Sequence, residues 1–120
     1  MWVFVFEGPY DMVPFESLEQ AEGHVEAVDV ENDEYVFFAE DGTVVRPSVR
    51  DQRVVLTLTG EDRSEDFRGR LSVYLAHPGV AMNPALAADP AALAVLLTER
   101  ARARRWPRWP ARWRLPGLSR

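Results

Sequence analysis

Residues 2–6 (WVFVF) place large apolar side chains on both faces of a period-two pattern, which predicts a strand buried on both sides and central in its sheet. Glu7-Gly8-Pro9-Tyr10-Asp11 is turn chemistry. The following loop, to Glu16, carries Met12, Val13, Pro14 and Phe15 and is expected to lid the core, with an exposed binding loop as the alternative. Leu18, Ala21, Val25 and Val28 recur at helical spacing, so a helix is expected over 18–28. Ser17 and Gln20 stand at capping-box spacing at its start. Tyr35, Val36, Phe37 and Phe38 then predict a strand over 34–39, and Asp41-Gly42 predicts a hairpin into a strand over 43–46 that Pro47 ends.

After the turn signal Asp51-Gln52, residues 53–59 alternate, with Val54, Leu56 and Leu58 facing the core, until Gly60 ends the strand. Ser64 is the expected cap of a second helix, with Glu65 and Asp66 in its first turn. Phe67, Leu71, Tyr74 and Leu75 form its buried stripe, and His77-Pro78-Gly79 stops it. Asn83-Pro84 and Asp89-Pro90 each pair a capping side chain with a proline suited to the first helical position. The second opens a helix to about Arg105 with Leu93, Leu96 and Leu97 on its apolar stripe. Beyond it, Pro107 and Pro110 forbid a regular helix.

The expected architecture is therefore α+β: a small antiparallel-dominated sheet of about four strands with helices packed on one face. Residues 1–105 are expected to form a single domain and residues 106–120 a disordered Trp/Pro/Arg-rich tail. Phe4, Leu18, Val25, Phe37, Val54, Leu56, Leu58, Phe67 and Leu71 are expected in one core.

A chain of 120 residues with 47% apolar content suffices for such a core without cross-links. Cysteine is absent, which excludes disulfides, thiol catalysis and thiolate metal sites. No signal peptide or bilayer-spanning run is expected. Charge changes the picture more. Residues 1–99 hold all 19 acids and only six of the 14 arginines, a formal −13, whereas residues 100–120 hold eight arginines and no acid. Every Lys/Arg position is arginine.

Three sets of residues are candidates for chemistry. The acids Glu26, Asp29, Glu31, Asp33, Glu34, Glu40 and Asp41, the last six with Tyr35 as an aromatic anchor, suit a surface that meets a basic protein and speeds encounter. Their bland reading is a solvated, solubilising face. A calcium loop starting at Asp29 lacks the glycine at its sixth position, where Glu34 stands, and keeps only Glu40 at its twelfth. His24 and His77 have no metal-ligand spacing, and His77 reads as a helix-end cap. There is no nucleophile elbow and no phosphate-cradling glycine loop, so neither catalysis nor a cofactor is expected. In the tail, Arg105, Trp106, Arg108, Trp109, Arg112, Trp113 and Arg114 combine charge with stacking surface, which suits anionic membranes or single-stranded nucleic acid. The simpler expectation is that the tail folds back on its own acidic body.

Residues 17–46 (SLEQAEGHVEAVDVENDEYVFFAEDGTVVR) carry S-L-E-x-A-E, then D-V-E-x-x-E-Y, an aromatic strand and a D-G turn. This pattern resembles small immunity proteins of bacterial polymorphic-toxin systems. The resemblance covers about a quarter of the chain and holds no catalytic motif. It implies a cytoplasmic antitoxin that binds and blocks a secreted toxin. The Arg/Trp tail departs from such proteins, which usually end near the last helix.

Overall fold

The structure, a computed structural model, describes residues 1–105. Its centre is a five-stranded, wholly antiparallel sheet in the order β2-β1-β3-β4-β5. The strands are β1 (Val3–Glu7), β2 (Asp11–Phe15), β3 (Val36–Ala39), β4 (Thr43–Arg50) and β5 (Arg53–Asp62). The helices are α1 (Leu18–His24), α2 (Ala27–Glu31), α3 (Ser64–Ala76) and α4 (Pro90–Arg105), with a 3-10 turn at Pro84–Ala88. The α+β class is as the sequence predicts, with five strands in place of four.

The fifth strand is β2, where the sequence suggested a lid. Its alternation puts Met12 on one face of the sheet and Val13 and Phe15 on the other. Pro14 hides the pattern from a sequence reading. It sits opposite Phe4 on an edge strand, the place in a sheet where a missing N–H is tolerated.

The helices occupy both faces rather than one. Alternate residues of β1 go to opposite sides, and each side has its own core. Val3 and Val5 pack with Phe37, Val54 and Leu56 under Ala21 and Val25 of the α1 region and Val30 of α2. Phe4 and Phe6 pack with Phe38 under Phe67, Leu71 and Leu75 of α3 and Leu93 of α4. The single expected core is thus two. Leu18, Val25, Phe37, Val54 and Leu56 belong to the first, and Phe4, Phe67 and Leu71 to the second. Leu58 belongs to neither: it is 44% exposed, midway along edge strand β5.

Several boundaries also differ from expectation. The helix over 18–28 is broken at Val25 and Glu26, both extended, and this break turns Val30 inward and leaves Val28 exposed. Gly23, just before the break, is a poor helix residue. The capping box forms in offset fashion: Ser17 Oγ accepts from Gln20 N at 3.1 Å, while Gln20 Oε1 accepts from Glu16 N at 3.0 Å. β4 runs through Pro47, which pairs with Leu56. The Leu56 N–H points away from β4, so this pair exchanges no backbone hydrogen bonds and the proline costs the β4–β5 ladder nothing. β5 passes Gly60, whose φ of +78° absorbs the irregular register near Thr43 and Val45. The start of α3 is capped not by Ser64 but by Asp62, whose Oδ1 accepts from Ser64 N at 2.9 Å. That bond holds the Asp62 carboxyl below its usual range. Leu96, expected on the apolar stripe of α4, is 40% exposed, whereas Leu93 and Ala94 are buried.

Candidate functional site: an acidic corner and an edge groove

The acids of α2 and of the turn after it form a corner beside the ends of β1 and β3. α2 ends at Asn32, Asp33 takes a φ of +55°, and Glu34 N closes the turn on Asp29 O at 3.1 Å. Glu31, Asp33 and Glu34 are exposed, and Asp29 lies beneath them. The Tyr35 hydroxyl donates to Asp29 Oδ2 at 3.3 Å. Its ring packs 5.9 Å from Phe37 and against the α1/α2 core, so Tyr35 props the corner from inside rather than projecting as a free anchor. Burial first, then the charges of Glu7 and Asp29, push the Tyr35 hydroxyl far above its ordinary range. Glu7, at the end of β1, thus joins the corner, and no sequence spacing pointed to it.

Glu34 is raised above the usual carboxylate range, first by its hydrogen bond with Asp29 and then by the Asp29 charge. Folded Glu34 therefore holds its proton to higher pH than the unfolded chain does. This group favours the folded state as pH falls from the raised value towards the ordinary one, and opposes it at neutral pH. Glu34→Gln keeps a donor for Asp29 and removes the repulsion. Its melting temperature at neutral pH is expected slightly above that of the native chain, and the gap should close on acidification through that window. An equal gap at every pH would contradict the raised Glu34 carboxyl.

Glu40 and Asp41 are not part of this corner. The four residues of β3 separate them from it by about 13 Å at the usual strand rise. Both have local tasks: Glu40 Oε1 accepts from Trp2 N at 2.6 Å, and Asp41 Oδ1 accepts from Thr43 N at 2.9 Å. The histidines serve packing. His77 stacks 4.4 Å from Tyr10 and its Nδ1 accepts from Gly79 N, which ties the β1–β2 turn to the end of α3. The His24 ring lies 5.3 Å from Phe15. Among the described residues no group of three or more potential ligands is arranged to hold a metal ion, so the calcium-loop spacing does not translate into a cage.

A second feature lies between α1, α2 and the edge of β5. It is a groove of about 550 Å³ whose lining includes Glu19, Glu22, Val25, Glu26, Gln52, Arg53 and Val54. Glu22 reaches across it, its Oε2 accepting from Leu56 N on the open edge of β5 at 2.7 Å. The spacing of Glu19 and Glu22 was a legible sign of a shared helical face, whereas Glu26 joins them only because the chain breaks after α1. What lay opposite was not.

Charge segregates over the surface. Residues 1–45 contain twelve acids and neither Lys nor Arg. The ion pairs among the described residues, Arg46–Glu61, Arg63–Glu61 and Arg70–Asp66, all lie on β4, β5 and α3 or between them. Glu61 is held below the usual carboxylate range by its hydrogen bond from Arg63, with Arg46 adding to the effect. In the tail set, Arg105 closes α4, and Trp106, Arg108, Trp109, Arg112, Trp113 and Arg114 lie outside the described residues. Among the described residues no helix is long and apolar enough to cross a membrane. In comparison with known proteins, the chain matches no family model, no curated protein and no solved structure.

Proposed function

We propose that this chain is an acidic binding protein, an immunity-type inhibitor that acts in the cytoplasm by occluding the basic cleft of a nuclease-like toxin. The observation that carries the reading is the exposed corner of Glu31, Asp33 and Glu34 above Asp29, within a stretch of twelve acids that no arginine among residues 46–103 pairs with. Like charges held together without counter-charges oppose the compact state, and a cationic partner removes that penalty on binding. A cleft that holds phosphate is positive, and a rigid acidic turn is its electrostatic complement. The turn is held by Glu34 N donating to Asp29 O, by the Tyr35–Asp29 bond and by the packing of Tyr35 on the core. The inhibitor needs no chemistry of its own. Charge governs the encounter, and apolar contact such as exposed Val28 on α2 slows release.

The test is a pull-down from the native cell with the full chain, followed by association kinetics of the captured protein. A basic protein is the expected capture. Asp33→Lys with Glu34→Lys should slow its association by roughly tenfold or more at low salt, with a smaller effect at high salt. The dissociation rate should change little. Capture of lipid or RNA without a protein partner would overturn this reading, as would kinetics indifferent to the charge reversal.

A further inference from the structure

The groove beside β5 is an open site with an occupant in the same chain: we infer that residues 106–120 seat in it. This inference does not depend on the toxin-inhibitor reading, whose surface is the corner at the other end of α2.

Three observations point to an extended, arginine-bearing segment. First, among the described residues no strand pairs with β5 on the side away from β4. Val54 and Leu56 turn their backbone N–H groups to that side, and among the described residues the side chain bonded to one of them is Glu22. An open edge is a template for another segment. Second, the lining is polarised, with the carboxylates of Glu19, Glu22 and Glu26 against one guanidinium among the described residues, that of Arg53. Third, the floor between those carboxylates is closed by Val25 and Val54, which are only 7% and 8% exposed, so the groove is shallow and its polar rim dominates.

Residues 106–120 match each requirement in composition. They hold four arginines, three tryptophans and no acid. Arginine forks suit carboxylates. Reach is sufficient. The described chain ends at Arg105, and fifteen further residues span up to roughly 50 Å when extended, against a longest molecular dimension of 37 Å. The tether also holds the segment at millimolar-scale effective concentration, so weak contacts suffice. Seated there, it would cover the β5 edge and neutralise one part of the acidic surface while leaving the Glu31–Glu34 corner free.

The absence of cysteine makes the test clean. Ala111→Cys in the full chain accepts a single nitroxide label, and amide spectra report its neighbourhood. The expected result is at least a twofold loss of amide intensity at Val25, Ala27 and Val54, recovered on chemical reduction of the label. Glu19→Lys with Glu26→Lys should abolish that loss, while Asp33→Lys with Glu34→Lys should leave it intact. The same spectra show whether each variant is folded. Three outcomes would overturn the inference: no broadening at the groove, broadening centred on the Glu31–Glu34 corner, or broadening seen only when labelled and isotope-enriched chains are mixed. The last would make a second copy the occupant.

Discussion

Phe67→Ala is expected to lower the unfolding free energy by about 3–5 kcal/mol. Phe67 is 1% exposed and, with Leu71 and Leu75, is a side chain through which α3 meets the sheet. Its ring lies edge-on to Phe4 at 5.1 Å and to Phe6 at 6.3 Å, and it stacks on Phe38 at 5.1 Å. Removing it leaves a cavity flanked by three rings on two strands, β1 and β3, that pair with each other. Those strands cannot close on the gap without disturbing their ladder. Aromatic pairing adds about 0.5–1.5 kcal/mol per contact beyond buried area. Against the total stability of a small domain, about 5–15 kcal/mol, the loss is a large fraction. Phe67→Leu keeps most of the volume and should cost less than half as much. Urea denaturation of the two variants checks this, read from midpoints at unchanged slope. A loss for Phe67→Ala below about 1 kcal/mol would contradict the packing of α3 on this face.

Gly42→Ala is expected to destabilise by about 4 kcal/mol, for two independent reasons. Gly42 has a φ of +89°, which side-chain-bearing residues adopt at a cost. An added Cβ would also stand 2.5 Å from Ser64 Cα and 2.6 Å from Ser64 Cβ, at the first turn of α3. That neighbour is backbone, fixed by Arg63 N–H donating to Gly42 O at 2.9 Å and by the Asp62 cap. It cannot rotate away. Gly60→Ala separates the two causes, since Gly60 has a φ of +78° with nothing within 4 Å of the added atom. Only the conformational part, about 1–3 kcal/mol, is expected there. Equal losses in the two variants would mean that α3 does not press against the β3–β4 turn.

The second prediction shows how sequence and structure divide. The Asp41-Gly42 pair announces a hairpin by local chemistry alone, and the hairpin is there. That the same glycine also admits the start of a helix 22 residues later is invisible locally. The candidate site divides in the same way. The concentration of acids at Asp29, Glu31, Asp33 and Glu34 is a sequence fact, and α2 with its turn holds them together. Glu40 and Asp41 look continuous with them in sequence, but one short strand carries them to the far end of the sheet. Glu7 looks remote, yet β1 delivers it to Tyr35.

By itself the sequence determined what short-range periodicity and turn chemistry encode. It specified strands at β1, β3, β4 and β5, the stripe of α3, the start of α4 and an acid-rich first third set against an arginine-rich end. The two-sided apolar pattern of residues 2–6 even required cover on both faces. Only the tertiary structure decided that α1 and α2 take one face and α3 and α4 the other, that Pro14 lies on a strand, and that Leu58 stays outside. It alone brought Glu22 of α1 to Leu56, 34 residues away. The reason is physical. A residue's periodicity is set by neighbours within one or two turns, whereas strand order and helix placement are set by which distant apolar faces bury one another, at a loop-closure cost that rises only slowly with length. Many pairings are therefore nearly equal locally, and packing chooses among them.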